Sequence, residues 1–281
     1  MSTTPRRRSL TTVLKTADLV LASGTAVPDL NIRSGFTMIH CRRESSATTL
    51  AMTIAGRMNP KKGTVTLMQR HRAWTKTGEI HKRVAFAGVP ELSEVERLVT
   101  VHTAIRERAV WAGSWWKLTP RNIEKIPAYT TAAKLVEFNF DNATAKKTLV
   151  GELDLFDRVK LHVMQALISR PDPLALIVDD IDSLRSLILR RNFLHLLSRI
   201  ATNFPVIVLT SNAADRQYTD EYLQVDITSK TVLSMPNADR GTALPKADRK
   251  AIESSESTEP AIVEGEIISE TYLPADETPA D

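Results

Sequence analysis

Two apolar stretches, Leu174-Ala-Leu-Ile-Val178 and Pro205-Val-Ile-Val-Leu209, decide the fold class of this 281-residue chain. Each stretch is continuously apolar rather than alternating, which is typical of a strand that is buried on both faces of a sheet. The segment between them, about residues 183–202, is predicted to be a helix. Strand, helix and strand in this order form a βαβ unit, so we predict an α/β fold with a partly parallel sheet.

The rest of the chain divides into three parts. Residues 1–10 are predicted to be a basic disordered N-terminus, 11–235 a folded domain with a helical part at about 91–165, and 236–281 an acidic disordered tail. Within the domain we predict strands at about 17–22, 29–32, 36–40 and 63–67. A helix is expected over 47–56, ending at Gly56, and another over 153–168, ending before Pro171.

The charge of the chain is distributed unevenly. Its formal net charge is +4, but the segment from Ala251 to Asp281 contains nine acidic residues and no Lys or Arg, so the first 250 residues carry +13. A basic body with an acidic tail is consistent with a body that binds a polyanion or faces an anionic membrane surface. It is equally consistent with an ordinary solvated surface and a solubilising tail. A nucleic-acid-binding module is therefore an alternative function, although no recognisable reading motif accompanies the charge.

Composition excludes several classes of protein. No apolar run approaches the roughly 18–20 residues that a membrane span needs, and the basic start of the chain is not followed by the apolar stretch of a secretory signal. The single cysteine, Cys41, excludes an internal disulfide framework or a cysteine zinc site. The six histidines show no metal-ligand spacing. We therefore expect a protein of the reducing cytoplasm.

The polar stretch Cys41-Arg-Arg-Glu-Ser-Ser-Ala-Thr48 lies between a predicted strand and a predicted helix. This is the context of a phosphate-binding loop, Gly-x-x-x-x-Gly-Lys-Ser/Thr. If Thr48 is the last position of that motif, Cys41 and Ser46 replace the two glycines and Ala47 replaces the lysine. A lysine about 4 Å from a phosphate oxygen contributes about 4 kcal/mol at an effective dielectric constant near 20. Its loss weakens triphosphate binding about a thousandfold.

The order and spacing of these pieces resemble the nucleotide-binding subunit of ATP-binding cassette (ABC) transporters over about residues 10–225. Residues 34–67 resemble that family's first strand, phosphate loop, helix and next strand. Residues 171–180 resemble the strand that carries the Walker B aspartate, and 206–211 resemble the strand that ends at the switch histidine. The resemblance implies a P-loop NTPase fold with an antiparallel β portion and a helical subdomain. The family's ligands are ATP and Mg²⁺, and for this chain we expect weak binding of them at most.

Carried over residue by residue, the resemblance implies a degenerate nucleotide site. Asp179 matches the Walker B aspartate that helps to hold Mg²⁺, Asp180 stands at the position of the catalytic glutamate, and Ser211 replaces the switch histidine. The segment Leu153-Asp-Leu-Phe-Asp157 replaces the signature Leu-Ser-Gly-Gly-Gln/Glu. No aromatic residue precedes Phe36 to stack on adenine. The positions matched to the phosphate-binding loop are Arg42, Arg43, Ser45, Ser46, Ala47, Thr48 and Thr49.

We therefore predict a cytoplasmic pseudo-ATPase that acts as a scaffold or regulator, in a complex at the inner face of the cell membrane. Its expected partner is a membrane permease or a second ABC-type ATPase subunit, with a homodimer or heterodimer as its assembly. The alternative within the family is a weakly ATP-binding subunit of a heterodimer, using Thr48 and Asp179. A structural alternative for Asp179 and Asp180 is that they cap the following helix together with Asp182 and Ser183.

The tryptophans of the predicted helical part, Trp111, Trp115 and Trp116, lie where the family's subunits dock their membrane partners. An exposed apolar patch there would mark an interface. Ordinary core packing explains the same residues equally well.

Overall fold

The computed structural model describes residues 11–42, 46–88, 97–113, 118–226 and 231–236. Contacts divide the chain into two compact units, Met1–Arg240 and Gly241–Asp281, and only the first contains described residues. The division proposed from composition, including a separate helical part at about 91–165, stays a prediction. Arg43 and Ser45 of the expected loop, and Trp115 and Trp116, lie outside the described residues.

Within the described residues, ten strands form two sheets. The strands are β1 (Thr12–Val20), β2 (Asn31–Arg33), β3 (Phe36–Cys41), β4 (Lys62–Gln69), β5 (Arg72–Trp74), β6 (Val84–Ala87), β7 (Ala175–Val178), β8 (Val206–Thr210), β9 (Glu221–Asp226) and β10 (Thr231–Pro236). The first sheet has the order β2-β1-β4-β5 and is antiparallel. The second has the order β10-β9-β3-β8-β7-β6, in which β9 to β6 are parallel and β10 is antiparallel to β9. The predicted α/β fold with a parallel-dominated sheet is confirmed.

Seven α-helices accompany these strands in the described part of the chain. They are α1 (Ala47–Ile54), α2 (Thr77–His81), α3 (Val101–Ala112), α4 (Pro127–Val136), α5 (Asn142–Lys147), α6 (Leu155–Ser169) and α7 (Leu187–Ile200). Short 3₁₀ turns cover Ile123–Lys125, Val150–Glu152, Ile181–Ser183 and Ala213–Tyr218.

The parallel sheet is buried on both faces, as the continuous apolar runs predicted. Along β7, Leu176 and Val178 face a core formed with the helices, whereas Ile177 faces a second core shared with the antiparallel sheet. Along β8, Val206 faces the core formed with the helices, and Ile207 faces the core shared with the antiparallel sheet. Because side chains alternate along a strand, this packing requires an apolar residue at every position. The core on one face of the parallel sheet is thus formed with α3 to α7, and the core on the other face with the antiparallel sheet, α1 and α2.

Two boundaries differ from the sequence prediction. The first strand begins at Thr12 rather than near residue 17, because its first part, from Thr12 to Lys15, pairs with β2, while Leu14 to Val20 pairs with β4. The helix expected from about residue 183 begins at Leu187 and is capped by Ser186, whose hydroxyl accepts from the Leu189 amide at 3.4 Å. The intervening residues form a 3₁₀ turn, so Asp179 and Asp180 do not cap this helix.

Candidate functional site

The carboxyl ends of three neighbouring parallel strands, β3, β8 and β7, converge at one edge of the sheet. The edge of an open α/β sheet outside the carboxyl ends of its strands is where such folds bind ligands. The described residues that the sequence singled out there come from the β3–α1 connection, from the end of β7 and from the end of β8. They are Arg42, Ser46, Ala47, Thr48, Thr49, Asp179, Asp180 and Ser211.

The β3–α1 connection ends on a serine in a backbone conformation that favours glycine. Ser46 precedes α1 with φ 59° and ψ 31°, in the left-handed region. A non-glycine residue rarely occupies this region, and Ser46 is the residue that was matched to the second glycine of a phosphate-binding loop. Its hydroxyl lies 3.3 Å from Oγ1 of Thr25 and 3.4 Å from Oγ of Ser23. The connection thus keeps a glycine-like turn, and hydroxyl contacts hold it against a neighbouring loop.

The first turn of α1 places a methyl group where the motif has a lysine. Ala47 is half-buried and packs against the core between the two sheets. Thr48, the next residue, is exposed. Of the described residues in the connection itself, Arg42 and Ser46, only Arg42 carries a charge, and its side chain is exposed. Among the described residues of this connection and of the first turn of α1, none carries the ammonium group that would neutralise a bound phosphate.

A hydrogen bond links Thr48, at the last position of the loop motif, to Asp179, at the Walker B position. The Thr48 hydroxyl donates to the carboxylate of Asp179, which follows β7 and is only 4% exposed. Burial raises the pKa of Asp179 above the ordinary aspartate value, while hydrogen bonds from Thr48 and from the backbone of Asp180 act in the opposite direction. The main-chain amide of Asp179 donates to the Ala87 carbonyl at 2.9 Å, which fixes its backbone. The structure thus brings Thr48 and Asp179 together.

Asp180, the residue at the catalytic carboxylate position, is exposed and takes the left-handed conformation, with φ 55°. Its carbonyl accepts a hydrogen bond from the Ser183 hydroxyl at 2.9 Å, which closes the 3₁₀ turn that follows. The backbone of Asp180 therefore stabilises the 3₁₀ turn at Ile181–Ser183.

Asp182 is a site residue that the sequence analysis treated only as a helix cap. Its carboxylate accepts from the Thr210 hydroxyl at 2.9 Å, from the Ser211 hydroxyl at 3.1 Å, and from the Ser211 amide. The Ser211 carbonyl in turn accepts from Nε2 of His40 at 3.1 Å. Ser211, at the switch histidine position, is therefore held by the segment after β7 and by β3. No sequence signal pointed to this network, because its members lie up to 171 residues apart.

The donor set at this edge does not suit magnesium triphosphate. Three carboxylates follow β7 in sequence, at Asp179, Asp180 and Asp182, and the lysine position holds Ala47. Negative side chains repel phosphate oxygens over several ångströms. Within the described ranges, no three or more His, Cys, Asp or Glu residues are grouped so that they could hold a metal ion.

The fold of the chain is similar to solved structures of ATP-binding cassettes. A cassette of an ABC transporter in its ADP conformation, MJ1267, matches with a TM-score of 0.64 and 15% identity, over 88% of this chain and 100% of that one. CbiO1 of Clostridium perfringens, part of the CbiONQ transporter complex, matches with a TM-score of 0.61 and 15% identity, over 87% and 94%. The chain has the fold of an ATP-binding cassette. A dimeric post-hydrolysis structure of the cassette MJ0796 with ADP and Pi matches at 0.56 and 15% identity, over 83% and 99%.

These matches concern structure alone. No protein-family model and no curated protein matches this cassette-fold chain by sequence. Within the described ranges, no helix combines the length and the apolarity needed to cross a membrane.

Proposed function

We propose that this cassette-fold protein does not hydrolyse ATP and acts as a scaffold or regulator for a membrane permease or a partner ATPase. The observation that carries the proposal is the start of α1, where Ala47 packs into the core at the position of the phosphate-binding lysine. Ala47 is half-buried, and its methyl group can neither reach a phosphate oxygen nor supply the positive charge of the lysine. The fold is kept while its main phosphate contact is lost.

The segment at the signature position supports the same conclusion. In the family, this segment of one subunit faces the nucleotide held by the other. Here Asp154 is the N-cap of α6, and its carboxylate accepts from the Asp157 amide at 2.7 Å. Asp157 pairs with Lys160 at 3.0 Å. A helix N-terminus that already carries its own carboxylates has little remaining attraction for a phosphate. Both halves of a shared nucleotide site are thus impaired in this chain.

The residue at the switch histidine position also supports the proposal that this chain does not hydrolyse ATP. Ser211 offers a hydroxyl instead of an imidazole, and both that hydroxyl and the Ser211 amide donate to Asp182. A side chain held in this way cannot serve as a general base, because the pKa of a serine hydroxyl is far above neutral and the neighbouring carboxylate is occupied by three donors. At this position a hydrolytic cassette has its switch histidine. Here Ser211 instead belongs to the hydrogen-bond network around Asp182.

The proposed partners follow from the matched structures. CbiO1 is part of a transporter complex, and MJ0796 was captured as a dimer. A cassette fold that has lost hydrolysis still presents the surfaces through which such subunits assemble. We accordingly place this chain in a complex with a permease, a second cassette, or both, at the cytoplasmic side of a membrane.

Phosphate release from Mg-ATP by the purified full-length chain tests the proposal. We expect turnover at the background level of buffer, and an Asp180→Asn variant should be indistinguishable from the native chain. Robust turnover that the same substitution abolishes would show that Asp180 is a working catalytic carboxylate, and the proposal would then be wrong.

A second candidate function rests on the hydrogen bond between Thr48 and Asp179. These are the two residues of the degenerate site that retain the matched residue types, and the structure holds them in contact. A heterodimer could use them to bind ATP weakly, with the partner supplying the missing contacts. A thermal shift of the chain by Mg-ATP only when the partner is present supports this candidate, and no shift under those conditions counts against it.

A further inference from the structure

The antiparallel sheet carries much of the positive charge of the chain. From Lys61 to Arg83 the sequence has seven Lys or Arg residues and one acidic residue, Glu79, which is a surplus of six charges. The first 250 residues together carry +13. This segment forms β4, β5 and α2, so nearly half of the basic surplus lies in one hairpin and the short helix after it.

The register of the sheet places cations of β1 and β4 on its solvent face. Leu14 of β1 pairs with Leu67 of β4, and both are buried in the core between the two sheets. The next pair, Lys15 and Thr66, therefore faces the opposite way, and Lys15 is exposed. Lys62 lies on the same face of β4 as Thr66, because the two residues are four positions apart.

Further cations lie at the two ends of β4. Lys61 precedes the strand, Arg70 follows it and Arg72 begins β5, and all three are exposed. The eight residues of β4 extend over about 25 Å, and Thr66, the partner of Lys15, lies near the middle of this length. We call this line of cations the basic strip, and it consists of Lys15, Lys61, Lys62, Arg70 and Arg72.

The basic strip is not neutralised by neighbouring carboxylates. Within the described residues, no ion pair includes any of its five cations. Two exposed carboxylates, Asp18 and Asp29, lie at the end of the sheet near Lys62, where the Asp18 amide donates to Asp29 at 2.9 Å. At the other end, β4, β5 and the turn between them contain no acidic residue. Exposed cations without counter-ions attract anions.

The length of the basic strip and its polar surroundings distinguish among anionic ligands. A single phosphate cannot contact cations about 25 Å apart. Peripheral binding to a bilayer combines cations with apolar side chains that enter the interface, but among the described residues β1, β4 and β5 expose no large apolar side chain. A DNA duplex carries one charge per about 1.7 Å of its axis, so it presents about fifteen charges along the strip.

The same sheet offers no platform for unpaired bases. Proteins bind single strands largely by stacking bases on aromatic side chains. The aromatic residue of this sheet, Trp74, is half-buried, and the Arg83 guanidinium lies over its ring at 4.4 Å from the centroid. We propose that the basic strip binds the phosphates of a nucleic-acid duplex without reading its sequence. This inference goes beyond the proposed function, because it requires neither ATP nor a permease or second cassette.

Fluorescence anisotropy of the full-length chain with a labelled DNA duplex of about 20 base pairs, at several salt concentrations, tests the proposal. We expect the logarithm of the binding constant to fall with the logarithm of salt concentration with a slope of about −4, since each phosphate contact contributes about −0.9. A duplex of unrelated sequence should bind equally well. A single strand of the same length should bind more weakly than the duplex, because base stacking is not available.

A double variant at the hairpin end of the basic strip is the specific test. Arg70→Gln with Arg72→Gln removes two contacts, so the slope should become shallower by about 1.8 and binding near 100 mM salt should weaken about tenfold or more. Arg121→Gln with Arg185→Gln is the matched control, since both residues are exposed and lie outside the antiparallel sheet. The control removes the same net charge and should keep the native slope. Equal thermal midpoints will confirm that both double variants fold.

Four results would overturn the proposal. They are the absence of salt-dependent duplex binding, an equal loss of binding in the two double variants, and tighter binding of the single strand than of the duplex. The fourth is binding of phosphatidylglycerol vesicles or of poly-glutamate, dependent on Arg70 and Arg72, by a chain that does not bind the duplex. That result would assign the basic strip to a membrane surface or to an acidic protein instead.

Discussion

Asp182 organises the carboxyl end of β8 although it belongs to the turn after β7. Its carboxylate receives two hydroxyls and one amide, from Thr210 and Ser211. Hydrogen bonds to a charged acceptor are stronger than neutral ones. One half-buried residue thus joins two strands at the candidate site.

Replacement of this carboxylate should therefore be costly. We expect Asp182→Ala to lower the free energy of unfolding by about 2–3 kcal/mol, because the buried Thr210 hydroxyl and the half-buried donors of Ser211 lose their acceptor. Urea denaturation of the variant and of the native chain measures the difference. Asp172→Ala is the matched control, since Asp172 is exposed and should change stability by less than about 0.5 kcal/mol. Equal effects of the two substitutions would refute the role given to Asp182.

Asp179 makes stability depend on pH. Burial raises its pKa in the folded chain above the ordinary value, so the folded state binds more protons than the unfolded state between those two pKa values. Stability therefore falls as pH rises through this window, and the deficit is complete above the raised pKa. Asp179→Asn removes the charge and keeps an acceptor for the Thr48 hydroxyl.

We accordingly expect Asp179→Asn to be more stable than the native chain at pH 7. Its advantage should shrink as the pH is lowered towards about 4, the ordinary aspartate value. Thermal denaturation of both proteins across this range provides the measurement. A variant that is less stable than the native chain at neutral pH would contradict the account.

At the scale of elements, the end of α1 is joined to α2 by a close backbone approach. Gly56 has φ +68°, and a Cβ atom built on it would lie 2.5 Å from both the His81 amide nitrogen and the Thr77 carbonyl oxygen. Only glycine suits such a position. The packing of α1 against α2 therefore depends on the absence of a side chain at position 56.

Two glycine-to-alanine substitutions distinguish the effect of this close approach from the general effect of replacing a glycine in a helix. Gly56→Ala should destabilise the fold by about 2 kcal/mol or more, through backbone strain and collision. Gly78→Ala, inside α2 and with nothing within 4 Å of its built Cβ, should stabilise it by up to about 1 kcal/mol. Denaturant midpoints of the two variants should move in opposite directions, and a shift in the same direction would show that the Gly56 contact is unimportant.

At the scale of the whole molecule, the sequence predicted the parallel sheet because its strands are apolar at every position. Ile177 and Ile207 contact one core while their neighbours contact the other, so burial on both faces was visible as an uninterrupted apolar run. The strand order could not be derived in the same way from β9 and β10. Their residues are less uniformly apolar, and β9 begins with a buried glutamate, Glu221.

The sequence predicted only those residues of the candidate site that belong to a recognisable local pattern next to a predicted strand. Thr48 was chosen from the phosphate-loop pattern and Asp179 from the resemblance to the Walker B strand, and a hydrogen bond joins the two. The bonds from Thr210 and Ser211 to Asp182 were missed, because side chains about 28 residues apart show no periodicity that would connect them. The helix boundary was also placed too early, since a 3₁₀ turn continues the polar pattern without being part of α7.

The most direct test of the central claim, a cassette fold without a working nucleotide site, is calorimetric titration of the full-length chain with ATP and Mg²⁺. An Ala47→Lys variant should be titrated beside it. Binding restored in the variant would attribute the loss mainly to the lysine, and no binding in either protein would attribute it to the wider site. For the native chain we predict no measurable heat of binding, and micromolar binding by it would contradict the account.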